Sequence, residues 1–226
     1  AQHIGKFLED KFGSNSMESI VDEGPNMFND IMGDYYAMII NGEKGYTDLK
    51  IEITTPGGHS SNPKDHTSIG MMSKFLSEYE ENLYEPLLVP ENPMMGFFEC
   101  AAEQGHLPKS LSKAATNARF DLKARDIILD YGINNPQIKY NFRTSQAIDI
   151  INGGDKANSL PRNVIAIINH RIVYGNSDKT VVDKATIHGK SIAKFYNIGL
   201  IVNNQTIYPE TENGKIDISY FADPLL

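Results

Sequence analysis

The residue best placed to do chemistry in this sequence is a histidine on a glycine elbow. His59, in "TPGGHSS", follows the strand-like run "YTDLKIEITT" and precedes a helical pattern. Glycine tolerates positive φ and lets the chain turn sharply, and a loop side chain held between a strand and a helix is well placed to meet a ligand. A neutral imidazole there can donate one hydrogen bond to a developing oxyanion. The same residues also read as a surface histidine on a helix-capping loop, with Ser60 or Ser61 as the cap, and spacing alone favours that plainer reading.

Asp22 and Glu23, in "IVDEGP", put two carboxylates where a buried strand ends. Such a position suits a zinc ligand, but the residues by themselves favour a plain polar strand end. One acid does not make a zinc site, and no HxxxH or HExxH pattern is present. Asn158 sits in the Pro-ended turn "KANSLPR", and Arg171 near the end of the apolar run "NVIAIINHRI". Arginine can clamp a carboxylate through two parallel N–H bonds, and asparagine can bond a carbonyl or an amide. A turn-forming Asn and an edge Arg laid over apolar surface explain the pair equally well. His66, His106, His170 and His188 have no partners in sequence and read as structural or surface residues. "NQT" at Asn204 fits a glycosylation acceptor, which has meaning in a secreted or lumenal protein.

The elements that must position these residues follow from periodicity. An amphipathic helix opens the chain (Ile4, Phe7, Leu8, Phe12), then "MESIVDEGPN" and "YYAMIINGEKG" read as strands. Leu49, Ile51 and Ile53 alternate with polar residues in a half-buried strand, and a helix over His66 to Asn82 carries Ile69, Met72, Phe75, Leu76 and Tyr79 at helical spacing. Residues 83–140 read as a partly helical insertion. Two strands, "RTSQAIDIING" and "NVIAIINHRIVYG", a helix from Lys179 and the strand "IGLIVNN" follow. With the insertion set aside, the order is β-α-β-β-α-β: an α+β, ferredoxin-like unit, an antiparallel sheet with two helices on one face.

The 226 residues suffice for one or two domains. Lys and Arg number 21 against 29 Asp and Glu, a net charge of −8 that argues against nucleic acid, whose binding surfaces are basic. No apolar run approaches the ~18 residues of a membrane span. Cys100 is the single cysteine, so neither an intrachain disulfide nor a cysteine metal cluster is available. The chain opens inside a helix pattern and stops at "FADPLL", so both ends read as cut from a longer protein.

Taken together, "IVDEG", "TPGGHSSNPKDHTSIG" and "INGGDKANSLPRNVIAIINHRI" resemble the carboxypeptidase S group of fungal enzymes. That group is part of the zinc exopeptidase superfamily that includes aminoacylase, glutamate carboxypeptidase and carnosinase. The resemblance runs over nearly the whole chain and is loosest in 83–140. It implies an α/β catalytic domain carrying two zinc ions (Zn2+), interrupted by a ferredoxin-like lid. In this chain it implies a catalytic-domain stub over 1–45, the lid over 46–210, and a return segment over 211–226. Most metal ligands and the catalytic Glu would then lie outside the chain, which alone would be inactive and would not retain zinc. By the same resemblance Asp22, or alternatively Glu23, matches a zinc-ligand position. His59 matches the lid histidine that bonds the scissile carbonyl, and Asn158 and Arg171 match lid residues that hold the substrate. Short peptides as substrates, a homodimer through the lid, a vacuolar lumenal location and no membrane contact by this piece complete what the resemblance implies.

Overall fold

The computed structural model describes residues 2–18, 28–31, 34–37, 42–105 and 107–225. The chain divides into two compact units, Ala1–Asn41 and Gly42–Leu226. In the first, helix α1 (Gln2–Phe12) bears out the opening amphipathic pattern, and β1 (Phe28–Ile31) pairs antiparallel with β2 (Asp34–Ala37). The apolar stripe of α1 is uncovered, with Ile4 65%, Phe7 60% and Phe12 56% exposed. The strand expected in "MESIVDEGPN" lies mostly outside the described residues.

The second unit is built on β3 (Gly45–Thr54), the short β4 (Gly58–His59), α2 (Ser68–Glu81), α3 (Met94–Glu103), α4 (Lys109–Ala115), α5 (Leu122–Asn134), β5 (Ser145–Gly153), the short β6 (Ser159–Leu160), β7 (Asn163–Ile172), α6 (Asp178–Tyr196), β8 (Gly199–Val202), β9 (Gln205–Tyr208) and β10 (Lys215–Tyr220). The sheet runs β5-β7-β3-β10-β8-β9. Strands β3, β5, β7 and β8 with helices α2 and α6 make up the ferredoxin-like order, so the fold is α+β as the periodicity implies. Alternation along β3 sends Thr47, Leu49, Ile51 and Ile53 into the core beneath the two helices. There they meet Phe75, Tyr79, Ile168, Val181, Ile192 and Ile218.

Two features go beyond the sequence reading. The expected antiparallel sheet is mixed, because β10 pairs antiparallel with β3 but parallel with β8. The strand comes from the segment 211–226, expected to run back toward another domain, where "KIDISY" buries Ile216 and Ile218 in the middle of the sheet. Its alternation is only two apolar residues deep, too short to register as a pattern. Residues 83–140 hold a second small core: Met95, Phe98, Ala101 and Ile128 from α3 and α5 close around Phe142, whose ring packs directly on Gly132. Arg119 grips the Glu99 carboxylate with Nε at 2.5 Å and Nη2 at 3.0 Å.

Helix α2 begins at Ser68, and its cap is Thr67, whose Oγ1 accepts from the Gly70 N–H at 3.1 Å. Neither Ser60 nor Ser61 fills that role. Thr67→Ala is expected to cost about 1 kcal/mol, the usual value of an N-cap, measured by urea denaturation.

His170 is fully buried, and its Nε2 lies 2.9 Å from Tyr79 Oη, which in turn lies 2.8 Å from Tyr84 Oη. Burial, and secondarily the nearby Lys184 ammonium, pushes its pKa down to about 4. Between pH ~6.5 and ~4 the unfolded chain therefore takes up a proton that the folded one refuses. Stability is present above pH 6.5 and falls as the pH falls through that window, by about 3 kcal/mol if no other group contributes. Urea titrations at pH 7, 5.5 and 4 check this, and His170→Gln should flatten the slope.

Candidate functional site

Just past β3 the chain turns at Gly57, where φ is +71°, a conformation that favours glycine; a Cβ there would meet Arg162 Cγ at 2.6 Å. The turn starts a two-stranded ribbon in which Gly58 pairs with Leu160 and His59 with Ser159. The ribbon is pinned at its base. The Thr55 N–H donates to Arg162 O (2.8 Å), and Ser68 Oγ donates to Pro161 O (2.9 Å). Above that base the Ser60 N–H donates to the Asn158 carbonyl at 3.2 Å. His59 and Asn158, 99 positions apart by number, are thus brought side by side on one exposed ribbon.

His59 is oriented by its own loop. Its Nδ1 accepts the Ser61 backbone N–H at 3.1 Å and lies 2.8 Å from Ser61 Oγ. A nitrogen that accepts an amide N–H carries no proton of its own, so in the neutral ring the proton sits on Nε2. That leaves Nε2–H pointing away from the loop's hydrogen bonds as a donor. The Asn158 side-chain amide makes no hydrogen bond with another described residue. The ribbon therefore offers an imidazole donor and a free amide to whatever approaches it.

Arg171 is not brought to this pair. It lies at the other end of β7, eight residues beyond Asn163, or roughly 26 Å along the strand. Its guanidinium stacks 4.9 Å above the Tyr46 ring and makes no hydrogen bond with another described residue. Close by, Lys44 Nζ donates to the carbonyls of Tyr140 (2.8 Å) and Arg143 (2.7 Å). Burial, and then repulsion from Arg171, pulls the Lys44 pKa down to about 8. Two cations that repel each other in this way make a spot where a carboxylate would be welcome.

Asn204 sits at the tip of the β8–β9 hairpin beside Asn203, both with positive φ (64° and 44°), and its side chain is exposed. Asp22 and Glu23 lie outside the described residues. Among the described residues no three His, Cys, Asp or Glu side chains come together, so these residues do not by themselves fit a zinc centre. Cys100 is an exposed free thiol. The contacts that sequence reasoning did not supply are Ser61 as the group that sets the His59 ring, and Ser68 with Pro161 as the clamp on the ribbon. The hydroxyls flanking His59 were the only visible signal of the first.

Residues 41–194 match the family model described as the peptidase dimerisation domain. The chain belongs to that family. The whole chain is 39% identical over 225 residues to carboxypeptidase S of Saccharomyces cerevisiae, covering 99% of this chain and 39% of that one. It is 30% identical over 175 residues to the N-fatty-acyl-amino acid synthase/hydrolase PM20D1 of Bos taurus, covering 76% of this chain and 33% of that one. Among solved structures it is similar to an M20 family metallo-carboxypeptidase of Sulfolobus solfataricus, at 15% identity over 81% of this chain and 39% of that chain, with a TM-score of 0.40. The chain thus spans about two-fifths of the length of the first curated relatives it matches. The resemblance to the carboxypeptidase S group stands on these matches.

Among the described residues no helix is long and apolar enough to cross a membrane.

Proposed function

We propose that this chain supplies the lid, residues 46–210, and part of the substrate site of a dinuclear zinc carboxypeptidase that removes C-terminal residues from short peptides. The observation that carries the reading is the His59–Asn158 ribbon, with the imidazole proton fixed on Nε2. In this reading Nε2–H donates to the scissile carbonyl oxygen as negative charge builds on it, and the Asn158 amide holds a neighbouring backbone group of the peptide. Arg171, beside Lys44, takes the C-terminal carboxylate. The family resemblance gives Asp22, or Glu23, to the metal. In this reading most of the residues that hold the zinc ions, and the Glu that activates water, lie outside this chain.

A short peptide spans only about 3.5 Å per residue. It cannot touch both His59, on the ribbon that leads into the Asn163 end of β7, and Arg171, roughly 26 Å along β7 from Asn163. The reading therefore requires two copies: the His59 ribbon of one and Arg171 of the other meet at one substrate. That fits a dimerisation domain, and a homodimer through it is part of the proposal. Arg171→Ala in the full-length enzyme is expected to raise KM about tenfold or more while kcat changes little, because carboxylate binding persists from ground state to transition state. Steady-state kinetics on a blocked dipeptide and on its C-terminal amide separate the two, since the amide should not respond.

A second reading comes from the PM20D1 match: hydrolysis of an N-acyl amino acid instead of a peptide. Both reactions cleave an amide beside a free α-carboxylate, so His59 and Arg171 keep their roles. Assay of the full-length protein with acyl-amino acids and with dipeptides sharing one C-terminal residue discriminates them. A vacuolar lumenal location, also proposed from the family, would make Asn204 a glycosylation site, visible as an endoglycosidase-sensitive gel shift lost in Asn204→Gln.

A further inference from the structure

Beside the His59 ribbon lies a cleft of about 460 Å³ that no role above uses. It is lined by Leu160 of the ribbon and by Gly57 in the turn before it. Its apolar and aromatic lining is Met71 from α2, and Phe195 and Tyr196 from the end of α6. His66 closes one side, its ring in edge contact with Tyr196 at 4.8 Å between centroids. Two sequence neighbours of opposite charge, Lys64 and Asp65, both exposed, also line the cleft. Neither forms an ion pair or hydrogen bond with another described residue. The helix ends act in the same sense: α2 begins and α6 ends at this cleft, so a positive and a negative dipole end meet there.

We infer that this cleft binds a free α-amino acid with an apolar side chain. A zwitterion carries its two charges across a single carbon, and neighbouring residues of opposite sign can meet both. The carboxylate lies toward Lys64 and the start of α2, the ammonium toward Asp65 and the end of α6, and the side chain against Met71 and the aromatic pair. A simple anion or cation would satisfy one charge and leave the other facing it, so the paired charges select the zwitterion. Because Leu160 adjoins Ser159 and pairs with Gly58, the neighbour of His59, the bound amino acid bears on the ribbon that presents the imidazole. The ligand class follows from the lining of the cleft; that the ligand is the enzyme's own released product rests on the peptidase reading.

The test is a titration of the 226-residue chain with L-leucine, glycine, N-acetyl-leucine and leucinamide, followed by amide NMR shifts. Leucine should give saturable shifts at Thr67, Asn197 and Asn213, with Kd in the millimolar range. Glycine and both blocked leucines should bind at least about tenfold more weakly. Lys64→Gln and Asp65→Asn, both in an exposed loop and both checked for native spectra, should each weaken leucine to a similar degree. The inference is overturned if leucine causes no residue-specific shift, or if the blocked forms or the two variants bind as well as the parent. Because the assay needs no turnover, its failure leaves the peptidase reading standing. Conversely, absence of amide hydrolysis by the full-length protein would sink that reading and leave a positive titration intact.

Discussion

His59→Ala in the full-length enzyme is expected to lower kcat about 100-fold or more while KM stays within about threefold. The reason lies in when the hydrogen bond forms. A donor aimed at the carbonyl oxygen is worth little while that oxygen is neutral and most when it carries charge, so its loss falls on the transition state. The ring is already set for this: Nδ1 is occupied by the Ser61 N–H, and the proton is left on Nε2. His59→Gln, which can still offer one N–H, should recover part of the loss. Ser61→Ala removes the hydroxyl contact at 2.8 Å but keeps the backbone donor, so its effect should be much smaller. Equal falls in the His59→Ala and Ser61→Ala variants would mean that the loop's shape matters and the imidazole does not.

Gly214→Ala should be the most damaging single methyl in the fold. At this turn φ is +113°, and an added Cβ would sit 1.9 Å from the Thr54 carbonyl oxygen. The clash is backbone against backbone, so no side chain can swing away to relieve it. The immobile partner is the last residue of β3, paired with Lys215 at the start of β10. Either β10 peels from β3 or Thr54 moves. A cost of about 4 kcal/mol follows from strain plus overpacking, or a Tm lower by about 10 °C. Gly96→Ala is the control: nothing lies within 4 Å of its Cβ on α3, and helix propensity makes it neutral to stabilising. Thermal melts of the two variants beside the parent decide the matter. Because Thr54 leads into the His59 ribbon, the Gly214 variant should also lose activity below its Tm.

Long, regular periods were legible in the sequence. The alternation of Leu49, Ile51 and Ile53 and the helical spacing of Met72, Phe75, Leu76 and Tyr79 gave strand and helix, and the core lies where those residues point. Strand β10 was not legible, since two buried isoleucines in six residues carry little pattern and its partners lie far away in the chain. The insertion hid its core for another reason: small residues such as Ala101, Ala118 and Gly132 do the packing around Phe98 and Phe142. Of the site, the histidine on its glycine turn was visible, but its pairing with Asn158 depends on a ribbon register that no local signal encodes. The separation of Arg171 from that pair was equally invisible, although strand length alone sets it.

That separation makes the account directly testable by mixing two impaired enzymes. Full-length His59→Ala and Arg171→Ala proteins, dissociated and reassembled together in equal amounts, would form heterodimers in which one site draws both intact residues from opposite copies. With random pairing of a two-fold dimer, the mixture should regain about a quarter of the wild-type kcat/KM. A mixture no more active than the two variants measured alone would contradict a site shared between two copies, and with it the placement of His59 and Arg171 at one substrate.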